Sequence, residues 1–187
     1  NDSASAAVLR VLGSGTIGGD GQIIFARSTG TSYLTAEPGT VATVGAELLV
    51  VGAGQFSGDV VMQGTLSPGL PTGPVLATGG TLTLDPSAVL EIGAASAAEY
   101  DSIEGSSDLM VGGTLRVEHL AGYVPAPGDV LTIVDTTGTV TGEFDALDLP
   151  AVGGGYEWRV RYEDRTVALV MSCSADFNVD GQVNTLD

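Results

Sequence analysis

Short runs of alternating apolar residues, closed off by Gly, Asp, Pro or Ser, recur through this chain, and long helical patterns are missing. The segments TLTL (81–84), AVLEIG (88–93), TLRVEHL (114–120), DVLTIVD (129–135), EWRVRY (157–162) and TVALVM (166–171) read as strands. The expected class is therefore all-β. The chain has 187 residues, 43% of them hydrophobic, enough for one sizeable domain or two small ones around a real core.

The glycines add a second constraint. GSGTIGGDG (13–21) and GAGQFSGDV (52–60) match at Gly13/Gly52, Gly15/Gly54, Gly19/Gly58 and Asp20/Asp59, all at one offset of 39 residues. Glycines at a fixed interval suggest turns that need φ > 0, as in a coil stacked on a coil. An offset of 39 residues suits two rungs of a β-solenoid. Residues 1–95 are expected to form such rungs. Residues 96–171 carry longer strands and more aromatics, and read as a β-rich cap. In YEWRVRYEDRTVALVM, Trp158, Val160 and Tyr162 share one face of a hairpin strand, with Arg159 and Arg161 on the other. Glu163, Asp164 and Arg165 make the turn, and Val167, Leu169 and Met171 return along the inner face. An exposed rung edge is expected near Val8 to Leu12, and such an edge supports end-to-end self-association. Residues 172–187 read as a linker and a terminal loop.

Charge narrows the partners. There are 23 acids against six basic residues, all arginine, for a net charge of −17. Such a chain repels nucleic acid and anionic membrane surfaces and attracts divalent cations. No apolar run is long enough to span a membrane as a helix. Cys173 is the lone cysteine, which excludes an internal disulfide and a cysteine metal cluster.

Catalytic signals are weak. His119 is the single histidine, so it makes no zinc site by itself. GSG (13–15) and GAG (52–54) lack the strand–helix context and lysine of a phosphate cradle. Asp101, Glu104 and Asp108 form one acidic cluster, and Asp145 and Asp148 another; both read as solvated turns rather than the spaced carboxylate pair of a glycosidase. The absence of lysine argues against a lyase acting on acidic glycans. WRVRY could contact a sugar or a partner, but hairpin packing is the better reading. The chain is expected not to be an enzyme; a glycoside hydrolase or polysaccharide lyase is the alternative.

The stretch GTLSPGLPTGPVLATGGTLTLDPSAVLEIG (64–93) resembles the end of the passenger β-helix of autotransporter-like bacterial surface proteins. The following YDSIEGSSDLMVGGTLRVEHLAGYVPAPGDVLTIVD (100–135), VTGEF (140–144) and WRVRY (158–162) resemble the region that closes such helices. This resemblance implies a right-handed parallel β-helix, secreted or on the cell surface. The membrane barrel of a true autotransporter is absent from this sequence, so self-translocation is not implied.

The last residues, ADFNVDGQVNTLD (175–187), resemble the first half of a dockerin, a calcium-dependent docking module built from EF-hand-like loops. Asp176, Asn178 and Asp180 take the first, third and fifth loop positions, with Gly181 at the bend. Gln182 would offer its carbonyl, Asn184 a bound water, and Asp187 the closing carboxylate. Hard oxygens in a tight loop are what Ca2+ requires. The loop is expected to be incomplete here, because its following helix and partner loop lie outside this sequence.

These readings together predict a non-catalytic extracellular structural or adhesive β-helix segment of a larger bacterial protein. Its tail would use Ca2+ to bind a cohesin-like protein or a cell-envelope component. The alternative is an accessory region of a carbohydrate-active protein, with a glycan as partner.

Overall fold

The computed structural model describes residues 7–25, 31–69 and 73–173. Every regular element among them is a strand. The first nine are β1 (Ala7–Val11), β2 (Gly15–Ile17), β3 (Gly21–Phe25), β4 (Ser32–Ala36), β5 (Val41–Val44), β6 (Leu48–Gly52), β7 (Gln55–Ser57), β8 (Asp59–Met62) and β9 (Thr65–Pro68). Then come β10 (Pro74–Thr78), β11 (Thr81–Leu84), β12 (Val89–Ser96), β13 (Glu99–Tyr100), β14 (Ser102–Gly105), β15 (Asp108–Val111) and β16 (Thr114–His119). The last five are β17 (Val130–Thr136), β18 (Val140–Gly142), β19 (Ala146–Asp148), β20 (Tyr156–Tyr162) and β21 (Thr166–Cys173). All six strands read from the sequence are present.

The strands form three sheets. Sheet A runs β1-β4-β7-β10-β14-β17-β21-β20, sheet B runs β2-β5-β8-β11-β15-β18, and sheet C runs β3-β6-β9-β12-β16-β19. The chain visits the three sheets in turn and lays each new strand parallel beside its predecessor in the same sheet. Short β13 folds back antiparallel on β12, and β21 pairs antiparallel with both β17 and β20.

Parallel register puts like residues on top of one another, and this is what builds the core. In sheet C, Val50, Leu66, Leu90 and Leu115 stand in one column. In sheet B, Ala42, Val60, Leu82 and Leu109 do the same. In sheet A, Leu34 stacks on Phe56, and Val75, Ile103 and Val134 form a second column. All of these residues are buried. Each buried leucine or phenylalanine contributes roughly 1.5–3 kcal/mol from the area it withdraws from water.

The 39-residue offset is not a stacking period. Stacked positions are 16 residues apart from Leu49 to Thr65, 22 from Tyr33 to Gln55 and 32 from Thr114 to Ala146. The offset instead equates Gly19-Asp20, which leads into β3 of sheet C, with Gly58-Asp59, which opens β8 of sheet B. The turn assignment itself holds at Gly13, Gly19, Gly52 and Gly58, all at positive φ. Gly54 serves close approach instead: a Cβ there would lie 2.2 Å from Cγ of the Phe25 ring.

The hairpin runs from Tyr156 opposite Cys173 to Tyr162 opposite Val167. Trp158 is buried and Glu157 and Arg161 are exposed, as the alternation of β20 requires. β21 differs from its expected one-sided pattern. Ala168 and Val170 are as buried as Val167, Leu169 and Met171, so the strand is covered on both faces and is a continuous apolar run.

On the outer face of sheet C, Glu91, Arg116 and Asp148 are register partners on three successive strands. The Arg116 guanidinium donates to Glu91 Oε1 at 2.8 Å and to Asp148 Oδ2 at 3.1 Å. The two carboxylates raise its pKa above the ordinary arginine value. Being exposed, this staple contributes little: Arg116→Ala should lower stability by about 1 kcal/mol. The loss should shrink when the denaturant midpoints of both proteins are compared in high salt.

Candidate functional sites

Most carboxylates of the two acidic clusters accept hydrogen bonds from backbone N–H groups. At the corner between sheets A and B, one oxygen-bearing side chain accepts the N–H of the next stacked strand. Ser14 Oγ accepts from Val41 N at 3.2 Å, and Asp59 Oδ1 accepts from Thr81 N at 2.8 Å. Asp108 Oδ1 accepts from both the N–H and the hydroxyl of Thr139, each at 2.8 Å. Those two hydrogen bonds favour the ionised form and hold the Asp108 carboxyl below its usual range. Between sheets B and C, Asp145 Oδ2 accepts from Gly113 N at 2.6 Å. Asp148 joins the Arg116 staple. These acids close gaps in the ladder that the turns leave open.

Asp101 corrects the expectation of a solvated turn. It sits between β13 and β14, only 3% exposed. Its Oδ1 accepts from Gly73 N at 3.0 Å and its Oδ2 from Gly93 N at 2.9 Å, so one carboxyl ties β12 of sheet C to the chain entering β10 of sheet A. Burial pushes its pKa up to about 7, against the two N–H groups that favour the charged form. Neighbouring Glu104 is exposed and accepts from Ser102 Oγ at 3.1 Å. A cavity of about 350 Å3 beside them is lined by Gly73, Pro74, Tyr100, Ser102 and Glu104 among others.

His119 ends β16 and lies against the hairpin. Its Nε2 accepts from the Trp158 indole N–H at 3.0 Å, which requires the neutral ring with its proton on Nδ1. Burial lowers its pKa, in keeping with that state. Tyr123 packs edge-on against the same ring at 5.4 Å and donates its hydroxyl to Asp129 at 2.6 Å. Burial and this carboxylate push the Tyr123 hydroxyl pKa up. His119 thus packs between β16 and the hairpin, a contact that its solitary occurrence in the sequence does not reveal. In the WRVRY strand, Arg159 pairs with Glu157 at 2.9 Å and Arg161 with Glu163 at 3.1 Å.

The calcium-loop positions Asp176, Asn178, Asp180, Gln182, Asn184 and Asp187 lie outside the described residues. Among the described residues, no three of His, Cys, Asp and Glu are grouped to hold a metal ion, and no helix is long and apolar enough to cross a membrane. The corner acceptors escaped sequence reasoning, although a signal existed: Asp59 and Asp108 each follow a small residue and each begins a strand. No protein-family model matches the chain, and no curated protein matches it.

Proposed function

We propose that this chain is a non-catalytic structural segment of a larger bacterial secreted or surface protein. In this reading it winds as a right-handed parallel β-helix and attaches through a calcium-dependent, dockerin-like tail to a cohesin-like protein or the cell envelope. The observation that carries the reading is the passage of the chain through three sheets in turn, with β4 to β12 and β14 to β19 each stacking in parallel on the preceding strand of the same sheet. Right-twisted strands joined in this way favour a right-handed crossover. Inner strands are hydrogen-bonded on both sides, which supports stiffness along the stack. Eight strands in sheet A, spaced about 4.8 Å apart, give a spacer roughly 34 Å long. The use of Asp59, Asp108 and Asp145 as turn acceptors supports a structural role for the acidic residues.

Calcium titration by calorimetry tests the attachment. Binding heat is expected from the loop Asp176 to Asp187 when it is followed by the partner loop of a complete module, and Asp180→Ala should remove it. A complete module that binds no calcium, or binds it equally well with Asp180→Ala, overturns the calcium-dependent attachment.

A further inference from the structure

We propose that His119 is a pH-sensitive latch on the β20–β21 hairpin: the neutral ring fastens the rung of Trp158 and Met171 to the end of β16, and a proton on that ring releases it. Trp158 and Met171 are register partners, and the rung is held from both sides. On the β20 side, the Trp158 indole N–H donates to His119 Nε2 at 3.0 Å. On the β21 side, Met171 N donates to the Asp129 carbonyl at 2.8 Å, and Gly128 N donates to the Met171 carbonyl at 2.9 Å. Tyr123 joins the two sides. Its ring packs against His119 at 5.4 Å, and its hydroxyl donates to the Asp129 carboxylate at 2.6 Å. The contacts form a closed circuit around one rung of the hairpin. His119 is the one imidazole in it, the side chain that ordinarily changes charge between about pH 5 and 8.

The indole bond fixes the protonation state. A ring nitrogen that accepts carries no proton, whereas an imidazolium has two donors and no acceptor. Protonated, His119 would meet the Trp158 N–H donor to donor, and Trp158, only 5% exposed, would keep a buried N–H without a partner. The histidine ring is half-buried at the end of its strand, so a proton reaches it from solvent. The charged groups around it, among the described residues, are engaged elsewhere. Asp129 is taken by Tyr123 and Ala126 N, Glu157 by Arg159, and Asp101 by Gly73 and Gly93. Glu118 and Arg116 alternate with His119 along β16, and Arg116 binds Glu91 and Asp148. Ala94, the register partner of His119, is neutral and buried. Burial therefore sets the direction and lowers the His119 pKa. The latch is closed at neutral pH and opens on acidification.

The latch is independent of the proposed calcium-binding tail. His119 and Trp158 are the only histidine and the only tryptophan of the chain, so each gives one unambiguous NMR signal. The ring-proton shift of His119 and the indole N–H resonance of Trp158 should move in one transition on acidification, with a shared midpoint below 6.5, the ordinary histidine value. Amide exchange at Met171, corrected for its intrinsic dependence on pH, should quicken by about tenfold across that transition. Exchange at Thr114, whose N–H is bonded to the Ala88 carbonyl at the other end of β16, should not. His119→Gln keeps an acceptor for the indole and has no proton to gain, so its indole resonance and its Met171 exchange should stay constant over the same range. An indole resonance that ignores the His119 titration, or Met171 exchange that does not quicken, overturns the latch. So does equal quickening at Thr114, which would mean that acid loosens the whole stack, or the native response in a folded His119→Gln protein. All but the last are read on the native chain and decide the matter even where the variant fails to fold.

Discussion

Gly105→Ala should lower the stability of this chain by about 3–4 kcal/mol, the largest loss expected from adding a single methyl group. Gly105 ends β14 at φ 140°, in register between Ala77 of β10 and Thr136 of β17. A Cβ there would lie 2.0 Å from the Ala77 carbonyl oxygen and 3.0 Å from its carbon. These are backbone atoms of a paired strand, so no side-chain rotation relieves the contact. Either β10 or β14 must move, and both hold buried residues, Val75 and Ile103, in the core. A thermal shift of roughly 10 °C is the expected readout for a chain of this size. Gly79→Ala is the control. Gly79 also has positive φ, 63°, but nothing lies within 4 Å of its Cβ position. That variant carries backbone strain alone and should lose about 1 kcal/mol. Equal losses in the two variants would show that stacking distance at Gly105 is not the constraint.

The comparison of these two glycines shows what the sequence can and cannot reveal. Both are glycines at or beside the end of a strand, and nothing in TGG (78–80) or EGS (104–106) tells which one touches a neighbouring strand. Strand existence was legible because alternation is local: TLTL and TLRVEHL carry their burial pattern within a few residues. Stacking distance is not local. It depends on connections that vary between 16 and 32 residues between stacked positions, so the apparent 39-residue period equated turns in different sheets. The same variation hid the corner column of Ser14, Asp59 and Asp108, whose partners Val41, Thr81 and Thr139 lie 22 to 31 residues away. In the hairpin, both strands and the turn were legible because antiparallel neighbours follow directly in sequence. The two-sided burial of β21 was not, since alternation describes a strand covered on one face only. The acids were counted as solvent-facing charge because carboxylates seldom lie inside proteins. For Asp101 the exception has a cause: Gly73, at the entry to β10, and Gly93, within β12, direct two N–H groups at one buried carboxyl.

That carboxyl should impose a distinctive pH dependence on the whole fold. The Asp101 pKa is about 7 in the folded chain and near the ordinary aspartate value when unfolded. Between these values the folded state holds a proton that the unfolded state has released. Stability from this group is therefore fully present below about pH 4, falls as the pH rises towards 7, and is flat above it. The shift corresponds to about 4 kcal/mol in full, and partial solvent screening reduces it to about 2 kcal/mol. His119 acts in the opposite sense: its lowered pKa makes stability fall as the pH drops through 6.5. A single profile of the native protein mixes the two, so the difference between native and Asp101→Asn is the informative quantity. The amide cannot titrate, keeps the shape of the side chain and retains one acceptor oxygen. Native protein should lose about 2 kcal/mol relative to Asp101→Asn between pH 4 and 7, read from denaturant midpoints at each pH. A constant difference across that range would mean Asp101 is ionised in the folded chain throughout, held by the Gly73 and Gly93 N–H groups. Asp101→Ala removes both acceptors and should cost about 2–5 kcal/mol at any pH, because two buried N–H groups then lack partners.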